Sequence, residues 1–259
     1  MLNTRKRLLL SVITVVTITI FLGLSEWGNG TLTSTAQDQT RVGKGDKQKD
    51  EFPIALYSAS LPNESAGRAL RHIRNSRYDK RYPVPLDELP PDTTEKLIAC
   101  DWSLTPALPI AESEAIVLAQ VVTAIGYVSN DKTGAYSEFT IIIKEVLKTD
   151  GRFSFVPDSS IVVEREGAAV QLPSGRIVRT GFASEGMPRI DRQYILFLKY
   201  NSQGEDYQIV TGYELRNKRV VPLDQVEPFT SYTEADVSSF LNAVREAMAN
   251  PPEKKRLNQ

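Results

Sequence analysis

The sequence predicts a mainly β protein with accessory helices, carried behind an N-terminal transmembrane helix. Three observations predict it. Leu8 to Leu24 is an unbroken uncharged run placed directly after Arg5-Lys6-Arg7. From about Ser113 onward, seven or eight short β-branched and aromatic stretches are separated by Gly, Pro, Asn and Asp turns. The 3.6-residue apolar period of an amphipathic helix then returns near the C-terminus, at Val237, Phe240, Leu241 and Val244.

A membrane-spanning helix needs about 20 residues. Leu8 through Trp27 reaches that length, with Leu8, Val16 and Leu24 marking the span and Trp27 suited to the membrane interface. The alternative is a cleaved signal peptide. For that, the run is slightly long and Gly23-Leu24-Ser25 is a passable cleavage site. No Lys or Arg follows the basic cluster until Arg41, which keeps the N-terminus inside and places the body outside the cytoplasmic membrane in a single pass. Cleavage would leave the body secreted or periplasmic.

The body is balanced in charge, since the whole chain carries 31 basic and 32 acidic residues. That removes the global field a nucleic-acid binder uses, and no nucleic-acid partner is expected. Cys100 is the one cysteine, so no intramolecular disulfide forms. Its neighbours Leu97, Ile98 and Trp102 predict a buried thiol. One His (His72) and one Cys remove most metal and nucleophile schemes, and no phosphate loop or nucleophile elbow occurs. No catalytic residue, cofactor or metal is expected.

The chain divides into a signal-anchor or signal peptide (1–27), a flexible linker (28–61), a basic helix with a Pro-rich extended segment (62–112), an antiparallel β region (113–225), a C-terminal helix (226–250) and a basic tail (251–259). Gly28 to Asp50 holds almost no large apolar residue and reads as a tether. Asn63 caps a helix near Glu64–Arg77, where Arg68, Arg71, Arg74 and Arg77 recur every three residues and Ala66, Leu70 and Ile73 share a face. Two readings follow. The arginines touch anionic lipid or an acidic partner, or the apolar stripe lies on the domain and the charged face is solvated. Tyr82-Pro83-Val84-Pro85 and Leu89-Pro90-Pro91 then impose an extended path.

The β region opens with Ala115–Val128, apolar enough to be covered on both faces. Phe139, Ile141 and Ile143 alternate with polar residues. Ile161–Glu166 and Ala168–Leu172 are interrupted by Gly167, which predicts a bulge or sharp bend. Further strands follow at Arg176–Thr180, Tyr194–Lys199, Tyr207–Tyr213 and Arg219–Leu223, and Thr233 is read as the cap of the last helix. This spacing argues for a barrel or sandwich.

The densest polar group is Glu164, Arg165 and Glu166 with Arg176 and Arg179 beyond the Pro173–Gly175 turn, and Arg189 in the loop that follows. If these strands pair, opposite charges face each other. The group is then either a contact surface for a ligand or protein, or a set of cross-strand ion pairs. Tyr194, Tyr200, Tyr207 and Tyr213 either offer a stacking face or fill the core and rim.

Ala115–Gln120, Glu145–Lys148, Ile161–Val163 with Gly167, and Tyr194–Leu198 resemble the strand order of OB-like domains of the tissue-inhibitor/netrin type. With Ser129–Thr133, Tyr136–Thr140 and Leu172–Arg176, residues 63–249 are similar to a group of bacterial envelope proteins to which no activity is assigned. The resemblance implies an antiparallel OB-like β-barrel over about 113–223. Inhibition of metalloproteases, which in the netrin type relies on an N-terminal cysteine and several disulfides, does not carry over. The function expected is non-catalytic binding or assembly, with another envelope protein or a surface polymer as partner and the membrane engaged through the N-terminal helix. A hydrolase with a carboxylate or Ser site is the alternative, and a structural spacer the third reading.

Overall fold

The computed structural model describes residues 52–59, 65–151 and 155–250. The expected span at Leu8–Leu24, the tether to Asp50, the Asn63 cap and the basic tail lie outside the described residues. Among the described residues no helix is long and apolar enough to cross a membrane.

In chain order the elements are β1 (Ile54–Leu56), α1 (Ser65–Ser76), a 3-10 turn (Leu86–Glu88), β2 (Glu95–Ile98), β3 (Ala115–Val128), β4 (Ala135–Thr149), β5 (Ser160–Glu166), β6 (Ala168–Gln171), β7 (Ile177–Phe182), β8 (Gln193–Asn201), β9 (Asp206–Arg216), β10 (Arg219–Pro222), a second 3-10 turn (Phe229–Tyr232) and α2 (Val237–Ala249). The described chain is therefore mainly β, in two sheets, with two helices. β1 falls inside the stretch expected to be linker, and β2 inside the one expected to be Pro-rich and extended. Both are short edge strands that pair in parallel with β6 and β7, far along the chain.

The larger sheet runs β10-β9-β5-β4-β3-β8, and β8 pairs with β9 as well. The pairings from β3 through β4, β5, β9 and β8 thus return to β3. β3 explains itself by alternation. Val117, Ala119 and Val121 meet Phe139, Ile141, Ile143, Val163, Leu196 and Ile209 in one core. Ile116 on the opposite face meets Phe197, Tyr213, Phe229, Phe240 and Val244, where α2 covers the sheet. The first half of β3 is covered on both faces, as its apolar sequence predicts, whereas Thr123 and Ile125 in the second half are exposed.

At Gly167 the chain leaves the larger sheet and enters the smaller one, ordered β1-β6-β7-β2. Gly167 has φ +103, and a Cβ there would lie 2.7 Å from the Thr180 carbonyl oxygen. The expected bend is present, and only glycine suits it. β1 crosses β3 at Gly126, where a Cβ would stand 2.7 Å from the backbone of Ile54 and Ala55.

The C-terminal helix begins later than expected. Asp236 caps it, its Oδ1 accepting from the backbone N–H of Ser238 and Ser239 at 2.9 and 3.2 Å. Thr233 instead ends the second 3-10 turn. A carboxylate at this position also complements the positive end of the helix dipole.

Candidate functional site

Alternation along β4 turns Phe139 into the core and Glu138 to the opposite face. The same rule on β5 turns Val163 inward and Glu164 outward. Glu138 and Glu164 are direct cross-strand partners. Asp206 joins them from the start of β9, whose Gln208 pairs with Glu164. A sheet face carrying three neighbouring carboxylates repels itself and needs cations.

Those cations come from α1. Arg71 grips Glu138 with both guanidinium arms, at 2.5 and 3.0 Å, donates to Tyr136 Oη at 2.8 Å and lies 3.6 Å over the ring of Tyr127. Arg74 bridges Glu138 at 3.2 Å and Asp206 at 3.0 Å, and its Nε donates to the Gly204 carbonyl at 3.0 Å. Arg77 bridges Glu164 at 2.5 Å and Asp206 at 2.8 Å. Beyond the helix Arg81 pairs with Glu166. Asn130 Nδ2 donates to the His72 carbonyl at 2.9 Å, so α1 is held between the 129–134 and 202–205 turns.

This reverses the expected orientation of the helix. Arg71, Arg74 and Arg77 face the protein and are mostly buried, whereas Ile73, assigned to the domain-facing stripe, is 40% exposed. Arg71, Arg74 and Arg77, considered for lipid contact, are thus engaged by carboxylates of their own chain, and Arg68 is an exposed residue.

Glu164 is fully buried. Its Oε1 accepts from Arg77, from Tyr78 Oη at 2.9 Å and from Gln208 Nε2 at 3.0 Å. Burial, then the nearby Asp206 carboxylate, push its pKa up to about 8 against the opposing pull of Arg77. The oxygens left over are Glu164 Oε2 and Asp206 Oδ1. Burial beside the Asp206 carboxylate thus favours the protonated form of Glu164.

Glu166 shares this face, opposite Tyr136, but the four arginines grouped with it do not. Arg165 points to the opposite side of β5 and is fully buried, 2.5 Å from Asp224 and 2.9 Å from Glu185. Thr211 Oγ1 and the Gly186 N–H complete the shell of Asp224 at 2.7 and 3.2 Å. Burial raises Glu185 to about 7 although Arg165 opposes it. Arg176 donates to the carbonyls of Leu89, Pro90 and Thr93. Arg179 pairs with Glu95 at 2.9 Å, and Arg189 with Glu214 at 2.7 Å. β6 and β7 form the hairpin, so Glu164 and Glu166 stand opposite Glu138 and Tyr136 rather than opposite Arg176 and Arg179.

Two further expectations are corrected or decided. Cys100 is exposed, because Leu97 and Ile98 lie in edge strand β2 and leave the residue beyond it uncovered. Its thiol is raised by partial burial and by Glu185 and Asp101, so exposure does not make it a ready thiolate. Tyr194, Tyr207 and Tyr213 are buried and Tyr200 half-buried, which takes the core-and-rim side of that alternative.

Sequence reasoning missed Glu138 and Asp206. The available signal was an acid, Glu138, placed directly before the strand residues Phe139–Ile143 and one position out of phase with core-facing Phe139. A cavity of about 480 Å³ lies elsewhere, lined by Ile110, Ala111, Leu147, Lys148, Thr149, Met248 and Ala249. Among the described residues no cluster of His, Cys, Asp and Glu has metal-holding geometry. The carboxylate face holds the guanidinium groups of α1. No protein-family model matches the chain, and no curated protein matches it.

Proposed function

We propose that this chain is a non-catalytic binding or assembly module, held outside the cytoplasmic membrane of a bacterial cell by residues 8–27. The returning pairing order β3-β4-β5-β9-β8, with β5 parallel to β9, supports reading the larger sheet as an OB-like barrel. Such barrels take ligands on the face of their second and third strands, between the loops that join strands one to two and four to five. Here those elements are β4, β5 and the 129–134 and 202–205 turns. One observation carries the proposal: that face is acidic and receives a helix through Arg71, Arg74 and Arg77. The partner is another envelope protein or a surface polymer.

The alternative is a hydrolase with a carboxylate or Ser site, for which Glu164 is the carboxylate with the most strongly raised pKa. Full burial of Glu164 beneath Arg77 and Tyr78 leaves a substrate no approach to it.

Cross-linking of the full chain in its native membrane, followed by identification of attached proteins and polymers, tests the proposal. A reproducible envelope partner is expected. Recovery of none, in an experiment that captures other membrane complexes, counts against it.

A further inference from the structure

We infer that the acidic face of β4, β5 and β9 is a receptor for arginine-bearing helices, with α1 its resident occupant and an arginine-rich helix of a second protein its partner in trans. The inference deepens the binding-module reading and rests on it.

The receptor is built without α1. Glu138, Glu164 and Asp206 come from three strands whose pairing does not involve the helix. Glu138 and Glu164 are placed as direct cross-strand neighbours, an arrangement that favours an incoming cation. The cation it suits is guanidinium. Glu138 accepts two parallel N–H bonds from Arg71 while Tyr127 lies against the same planar group. An ammonium cannot make the bidentate fork and the stacked contact together.

The resident helix is held by charge rather than by packing. Its inward-facing side chains are Arg71, Arg74 and the buried Asn75, and Ile73 faces away from the sheet. The anchored part of the chain starts just past the helix, where Tyr78 stacks on Tyr136 with ring centroids 4.5 Å apart and Arg81 holds Glu166. Exchange therefore concerns the stretch that carries Arg71 and Arg74, and it frees Glu138 and part of Asp206 for another helix. The flanking contacts are generic. Asn130 touches a backbone carbonyl, and the Gly204 carbonyl accepts from a guanidinium. A partner needs arginines three or four residues apart on one face and no large apolar side chains.

The test uses the full-length chain and, as probe, a stapled helical peptide copying residues 65–77 with a photo-cross-linker. Arg71→Ala/Arg74→Ala vacates the site and is expected to bind the peptide at least about tenfold more tightly than the unaltered chain does. Adding Glu138→Gln should abolish that gain, and a peptide with Gln in place of its arginines should not bind. Equal, weak capture by all three proteins overturns the inference. Should the double variant lose its fold by circular dichroism, the unaltered arginines are tested through a spin label on Ile73→Cys in a Cys100→Ser background. Excess arginine peptide should then raise the label's mobility and the Gln peptide should not. A label indifferent to saturating peptide overturns the inference as well. Partners still recovered from the native membrane would in that case leave the binding-module reading standing on a different surface.

Discussion

Glu138 and Glu164 stand directly opposite each other on adjacent antiparallel strands, and each is neutralised by a different arginine of one helix. The two arginines are not equivalent. Glu138 keeps Arg74 if Arg71 is lost, whereas loss of Arg77 strips Glu164 of its cation and Asp206 of one of two. Removing one partner of a buried pair costs about 3 kcal/mol, and less where a second cation stays on the same carboxylate. Arg77→Ala should therefore cost clearly more than Arg71→Ala in urea denaturation. Equal losses would show that the helix is held as a uniform charged face.

The raised pKa of buried Glu164 fixes a pH dependence. The folded pKa of Glu164 is raised from an ordinary 4.5 to about 8, and that of Glu185 to about 7. Between about 4.5 and those values the folded chain holds protons that the unfolded chain releases. Stability from these groups is accordingly full below about pH 4.5 and falls as pH rises, by at most ~1.4 kcal/mol per pH unit for each group. Glu164→Gln keeps an acceptor for Arg77 and a donor for Asp206, and should flatten the slope between pH 6 and 8. Free energies of unfolding measured across that range check this; a stability that rises with pH in the wild-type chain would refute it.

Arg165 offers a different comparison, because it is enclosed completely with Asp224 and Glu185. Arg165→Ala leaves two buried carboxyls without a cation and should cost about 3–5 kcal/mol. Replacing Arg165, Asp224 and Glu185 together by Met, Leu and Leu removes the charges as a set. It should recover much of that loss, since apolar groups of similar volume commonly substitute for buried ion pairs. Chemical denaturation of the two variants distinguishes a net stabilising cluster from one retained for other reasons.

The strands from Ala115 onward were legible because β-branched and aromatic runs are punctuated by turn residues, and the bend at Gly167 because a lone glycine interrupts an apolar run. The threefold recurrence of arginine was legible too, but not its direction. Sequence periodicity places Arg71, Arg74 and Arg77 on one face; the identity of the opposing face depends on Glu138, Glu164 and Asp206. These residues meet only through long-range strand pairing. The short strands β1 and β2 were hidden for the same reason, since their partners β6 and β7 lie far along the chain. Local apolar neighbours likewise gave Cys100 a burial that an edge strand does not provide.

Cys100 now carries its own prediction. Exposure means that a small neutral alkylating reagent reaches the thiol in the folded chain, so about one equivalent should react without denaturant. Partial burial, together with the Glu185 and Asp101 carboxylates, raises the thiol above its ordinary value and depletes the thiolate that does the attacking. The native reaction at pH 7.5 should thus run slower than that of a free cysteine, and slower than that of the same thiol in urea. Cys100→Ser should change stability by no more than about 0.5 kcal/mol, as expected at an exposed site. A native thiol that reacts only after unfolding would mean that Cys100 is covered in the protein in solution. A rate above that of free cysteine would mean that an unseen positive group, not these acids, dominates its surroundings.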